Sequence, residues 1–304
     1  MKKRLLALIC AGLCLLCGCA KIPVPEPAPV TAYASFFPVY ALAERALRGV
    51  PEMTLYCLAQ PQDGCLRSYT LSDWDAALLD GSDLLILGGR GLESFEESIP
   101  EGDMAVLTVM NGMELLSRGE EDEDDHWTGE SPWLFLSTRG AQDMAGAITA
   151  AMTQLDPDQT DIYLANGAAA AEELTALRGE MLALFEGEEL PGVILMQEGL
   201  EYLAAELGFD DITSVRRETG AFMGDNELAE ALEEMEASGS RLVWIERQAP
   251  QNLIAALEDA GYTVCRIDIL SDHTPEGGFE AYCEAMRANA ESIRGALERM
   301  EARA

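Results

Sequence analysis

Asp83-Leu84-Leu85-Ile86-Leu87-Gly88-Gly89 decides the fold class. Four consecutive large apolar residues, bounded by an acid and two glycines, do not alternate as a half-exposed strand does. They fit a strand buried on both faces, and burial on both faces belongs to parallel sheets covered by helices. Ala105-Val106-Leu107-Thr108-Val109-Met110 repeats the pattern downstream, while Val30–Phe36 and Met53–Cys57 read as strands upstream. Between them Pro38 opens an amphipathic helix through Val39, Leu42 and Ala46 that stops near Gly49, with proline early and glycine at the end. Ser72-Asp73 caps a second helix, which runs through Ala76 and Leu79 to Gly81. Strands alternating with helices mean βαβ units and a parallel sheet.

The second half repeats the theme. A helix over Thr138–Leu155 is broken by Asp156-Pro157-Asp158, and a long Ala/Glu/Leu-rich helix follows over 159–186, with Leu174, Leu177, Met181 and Leu184 on one stripe. Strands are then expected at Val193–Met196, Arg241–Ile245 and Thr263–Ile267, with helices at Gly199–Leu207, Glu227–Met235, Pro250–Ala260 and Phe279–Met300. The expected architecture is α/β: two βα lobes with parallel sheets, 30–158 and 188–304, joined by one long helix, 159–187. A ligand cleft is expected between the lobes, at the carboxyl ends of the strands.

The amino terminus says where such a domain works. Met1-Lys2-Lys3-Arg4, an apolar run from Leu5 to Leu16 and the small residues after it form a secretory signal over 1–18. The run is too short for a mature membrane span. Leu16-Cys17-Gly18-Cys19 resembles the lipobox of bacterial lipoproteins, which implies cleavage before Cys19 and a lipid on its thiol. Four prolines follow within seven positions, Pro23 to Pro29, so 19–29 reads as a stiff tether. The expected location is extracytoplasmic, anchored to the cell membrane through the lipid on Cys19.

Three of the 20 basic residues leave with the signal, taking the net charge from −34 to −37. No basic cluster remains, which argues against nucleic acid or anionic lipid as a partner. Of eight cysteines, Cys19, Cys57, Cys65, Cys265 and Cys283 survive cleavage. Outside the cytoplasm the last four can pair, Cys57 with Cys65 and Cys265 with Cys283, one staple in each half.

The order and spacing of several segments resemble the zinc and manganese solute-binding lipoproteins of ABC importers, over roughly residues 30–300. Phe36-Phe37-Pro38-Val39-Tyr40 is similar to that family's Phe-Tyr-Pro-Leu-Tyr, and Tyr69-Thr70-Leu71-Ser72-Asp73 to its Pro-Thr-Pro-Ser-Asp. The run from Asp83 to Glu93, Leu155-Asp156-Pro157, Trp244-Ile245-Glu246-Arg247-Gln248 and Met286-Arg287-Ala288-Asn289 also fall where the family has counterparts. The resemblance implies a monomeric capture protein that hands Zn or Mn, as transported ligand, to a permease with its ATPase, and no catalytic cofactor.

The metal ligands implied by the resemblance are where this chain departs. The family's first histidine, eight residues before Asp73, falls on Cys65; the second, in Asp-Pro-His-Val-Trp-Leu, on Trp133; the third on Gln197, with Glu198 beside it. Only the acidic fourth is kept, as Asp268. Zinc wants about four N, S or charged O donors; Trp has no lone pair to give and Gln offers a neutral oxygen. His126, seven residues before Trp133 in the acidic run Glu120–Asp125, is an auxiliary candidate, and Asp272 and His273 lie close to Asp268. The site is therefore expected to be degenerate. An alternative is a binding lipoprotein for a non-metal solute, an organic cation held by Trp133 beside Asp268; another is a surface lipoprotein with no transport role. An enzyme is not expected: no nucleophile elbow is present, and Gly88-Gly89-Arg90-Gly91 has the wrong spacing for a dinucleotide loop.

Overall fold

The computed structural model describes residues 29–59, 61, 66–118, 129–215 and 225–303. In the first lobe β1 (Val30–Ala34), α1 (Phe37–Leu47), β2 (Met53–Cys57), α2 (Asp73–Asp80), β3 (Leu84–Leu87) and β4 (Ala105–Thr108) follow one another. The sheet order is β2-β1-β3-β4, every pair parallel. All four residues of β3 are buried, as the Asp83–Gly89 stretch requires.

Two antiparallel-running long helices come next, α3 (Thr138–Leu155) and α4 (Thr160–Ala183). Gly167 lets them close up: a Cβ there would stand 2.6 Å from Thr149 Oγ1. Tyr163, Ala170, Leu174, Leu177 and Met181 form the buried stripe of α4, and Arg45 of α1 reaches Glu173 on it at 2.7 Å.

The second lobe holds β5 (Val193–Leu195), α5 (Leu200–Leu207), β6 (Ile212–Ser214), α6 (Asp225–Ser238), β7 (Leu242–Glu246), α7 (Gln251–Asp259), β8 (Thr263–Ile267) and α8 (Gly278–Glu301). Its sheet runs β6-β5-β7-β8, again all parallel, so the two lobes share one strand order. The period of two sorts its side chains. Val193, Leu195, Leu242 and Trp244 join the large core that continues into the first lobe. Ile194, Met196, Val243 and Ile245 face a smaller core beneath α6 and α7. The sequence reading did not find β6, a three-residue strand whose Thr213 and Ser214 carry no apolar signal.

The expected disulfides are not formed: Cys57, Cys265 and Cys283 are free thiols. Cys57 Sγ donates to Ala59 O at 3.4 Å, and Cys65 lies outside the described residues. Cys265, on β8, shares its surroundings with Ser292 and Arg299 of α8. Cys283 faces α4 near Glu173 and Glu180. At 1.5 Å rise per residue, 9 to 16 residues of α8 separate these places by roughly 14–24 Å, far beyond disulfide reach. Burial pushes each of the three thiols up to about 12.

Candidate cation-binding cleft

In each lobe the strand order reverses at the first strand, and the loops leaving those carboxyl ends face one another. This is where open α/β sheets hold ligands.

On the first lobe the loop after β3 is shaped by a buried acid. Glu93 accepts from the backbone N–H of Gly88 and of Gly89, both at 2.7 Å, and from Ser35 Oγ at 2.5 Å. Burial pushes this carboxyl up against those three donors. Glu93 therefore ties the ends of β1 and β3 together and belongs to the frame of the cleft.

Between the lobes lies a charged tie. Glu198, fully buried in the loop from β5 to α5, meets Arg67 at 2.9 Å and Arg118 at 2.8 Å, both from the first half of the chain. Arg118 also approaches Glu201 at 3.8 Å. Beside this tie Trp133 is completely buried. Gly199 has φ +88, and a Cβ on it would stand 2.3 Å from Trp133 Cβ, so the indole lies directly on the glycine backbone. Trp133 Nε1 has no hydrogen-bond partner among the described residues. Gln197, also fully buried, points its amide at the Glu198 carbonyl at 3.5 Å.

On the second lobe Asp268 sits just past β8, and its setting is fixed from several sides. Its backbone N–H donates to Asn289 Oδ1 and its carbonyl accepts from Asn289 Nδ2, both at 2.8 Å. Its Oδ1 takes the Leu270 N–H at 2.8 Å. That turn puts Leu270 at φ +66, a backbone region that side chains seldom adopt. Its Oδ2 meets Arg247 Nη1 at 2.5 Å and His273 Nε2 at 2.8 Å. Burial pushes the carboxyl up, but His273, the Leu270 amide and Arg247 outweigh it and hold Asp268 below the usual carboxylate range. Arg247 Nη2 also meets Asp272 Oδ1 at 2.5 Å. The ligand atoms of Asp268, Asp272 and His273 all lie within 4.8 Å of one another. The His273 ring stacks on Phe37 of the first lobe, centroids 4.8 Å apart, which brings this cluster to the junction of the lobes.

The whole frame matches the zinc-uptake complex component A periplasmic family over residues 32–296. The chain belongs to that family. The zinc-binding lipoprotein AdcA of Streptococcus pneumoniae is 22% identical over 310 residues, 97% of this chain and 61% of that protein. The chain thus spans about three-fifths of this curated relative's length. Among solved structures, the solute-binding protein FpvC of Pseudomonas aeruginosa with Mn2+ superposes with a TM-score of 0.78 at 18% identity, covering 90% of this chain and 99% of that one. The laminin-binding protein Lmb of Streptococcus agalactiae gives 0.72 at 19%, covering 88% and 99%. At these identities the likeness is one of fold.

Of the residues singled out by their place in the zinc-uptake family pattern, Trp133 is buried against Gly199, Gln197 against the Glu198 carbonyl and Glu198 between two arginines, while Asp268 lies in the cluster with Asp272 and His273. Cys19, Cys65 and His126 lie outside the described residues. Sequence reading missed Arg67, Arg118 and Arg247. Its one available signal was position: Arg67 comes two residues after Cys65, and Arg247 stands in the segment that resembles the family's Phe-Glu-Pro-Gln. Among the described residues no helix is long and apolar enough to cross a membrane.

Proposed function

We propose that this chain captures a divalent metal cation for an ABC importer, at a site rebuilt on Asp268, Asp272 and His273 of the second lobe. The observation that carries the reading is the convergence of those three ligand atoms within 4.8 Å of one another, around the acid that occupies the family's last ligand position. Two carboxylates and one imidazole form a mixed donor set that takes Zn2+ or Mn2+ and leaves the remaining positions to water. The set is smaller than the four protein ligands of a closed zinc site, because Trp133 has no lone pair to give and Gln197 is buried against its own loop. A degenerate site binding more weakly follows.

The captured cation is handed to a permease and its ATPase. The chain is held at the membrane by the lipid on Cys19, with 19–29 as tether, 30–158 and 188–304 as lobes and 159–187 between them. The protein has no catalytic role and works as a monomer. Capture of an organic cation is less well supported: Trp133 is fully buried on Gly199 and has no open face for such a ligand.

Calorimetry on the metal-stripped protein tests the reading. Zn2+ and Mn2+ are titrated into the unsubstituted protein and into an Asp272→Asn, His273→Ala double variant. Saturable one-site binding that the double variant loses is the expected result. Binding of equal strength in both proteins, or none in the unsubstituted one, would overturn the rebuilt site.

A further inference from the structure

Resting on that reading, we propose that Arg247 is a built-in counter-ion which the cargo must displace, so that it sets both the affinity of the site and its preference for doubly charged ions. Arg247 directly follows β7, and its own N–H donates to Ile267 O at 2.7 Å, one residue before Asp268. The backbone therefore delivers the guanidinium to the cluster. Its two terminal nitrogens bridge Asp268 Oδ2 and Asp272 Oδ1, each at 2.5 Å. Those are oxygens a bound cation would share with His273. The other oxygen of Asp268 is occupied by the Leu270 amide. Each bond is charge-assisted, and the planar guanidinium presents a terminal nitrogen to each acid at once. It cancels one of the two negative charges that would draw a metal in.

The fork can leave. The Arg247 side chain is 47% exposed, against 8% for Asp268, so it can rotate outward and regain water while the acid stays where Asn289 holds it. Two charge-assisted bonds are lost in that exchange. A monovalent ion offers no more charge than the guanidinium it would replace and has nothing to set against those bonds. A divalent ion that also takes the His273 imidazole does. Arg247 thus works as a threshold: it offsets one of the two carboxylate charges at rest, and the site opens only to a cation that binds both carboxylates better than arginine does.

Zinc titrations of the Arg247→Gln and Arg247→Lys variants, beside the unsubstituted protein and Asp272→Asn, test this. Arg247→Gln is expected to bind zinc roughly tenfold more tightly, the worth of one part-exposed, charge-assisted ion pair. Arg247→Lys, a point charge without the fork, is expected to fall between. Nitrogen NMR of the Arg247 guanidinium in the unsubstituted protein gives a readout that needs no variant: hindered rotation in the metal-free state should become free on zinc saturation. If zinc binds the unsubstituted protein and is weakened by Asp272→Asn, yet Arg247→Gln binds no more tightly or the guanidinium stays fixed on saturation, the counter-ion role is wrong and the rebuilt site stands. If neither the unsubstituted protein nor Arg247→Gln binds zinc, both are wrong.

Discussion

Arg67, from the first lobe, closes on Glu198 of the second at 2.9 Å, and the carboxylate it meets is fully buried. Arg118 reaches the same oxygen at 2.8 Å. The chain's own guanidinium groups thus tie the lobes at Glu198, the neighbour in sequence of Gln197, a position that the family pattern assigns to a metal ligand. Glu198→Gln removes the charge both arginines bond. It is expected to cost about 2–4 kcal/mol, somewhat less than a wholly buried pair because Arg67 retains 23% exposure. Urea unfolding of the metal-free protein measures this. A loss below about 1 kcal/mol would mean the tie does not hold the lobes.

Gly199 carries two separate demands, a left-handed backbone and the indole of Trp133 lying on it. Gly239 carries only the first, at φ +75 with nothing within 4 Å of an added Cβ. Gly239→Ala should cost about 1 kcal/mol and Gly199→Ala at least about 2 kcal/mol more. Denaturant midpoints of the two variants give the difference directly. Equal losses would show that Trp133 does not press on that backbone.

The start of α2 is held by a reciprocal cap. Ser72 Oγ accepts from the Asp75 N–H at 3.2 Å, while Asp75 Oδ2 accepts from the Ser72 N–H at 2.8 Å, its Oγ at 2.7 Å and the Tyr69 hydroxyl at 2.9 Å. Burial pushes the Asp75 carboxyl up, but the bonds from Ser72 and Tyr69 outweigh it and hold it below its ordinary value. A carboxylate lowered on folding contributes stability above its unfolded pKa of about 4, and that contribution fades as pH falls through the folded value. Asp75→Asn should therefore destabilise by about 1 kcal/mol at pH 7 and by progressively less below pH 4. A penalty that stays constant with pH would contradict the ionised cap.

The three described thiols are free and pushed up to about 12 by burial, so little thiolate exists at neutral pH. Alkylation of the native protein at pH 7 should leave Cys57, Cys265 and Cys283 largely unmodified, and denaturation without reductant should expose all three. Peptide mass spectrometry reads each site. A Cys265–Cys283 linked peptide would overturn the assignment.

Much of the fold could be read from the chain because burial on both faces leaves a plain mark. Leu84 to Leu87 and Leu242 to Ile245 are apolar runs that only a covered parallel sheet accepts. The three-residue β6 escaped because two of its residues are polar and its place is set by pairing with β5. Trp133, Gln197, Glu198 and Asp268 were singled out by the family resemblance, each falling within or beside a motif that resembles one of the family's. The arginines that face them were invisible: Arg67 and Glu198 are 131 positions apart, and no local pattern marks a pair that only lobe packing creates. The same limit misled the cysteine reading. Cys265 and Cys283 are close in sequence, but the strand residue meets α8 at Ser292 and Arg299, two turns or more along the helix from Cys283.

Asn289 grips the Asp268 peptide unit from both sides, and it arrives on the last helix of the chain. Timing follows from that clamp. Everything up to Asp268 is synthesised before the residue that clamps its peptide unit, and docking of α8 completes the hold on that turn. A nascent or carboxy-terminally clipped chain is therefore a poor trap, and a cation meets a finished site only once the last helix has docked.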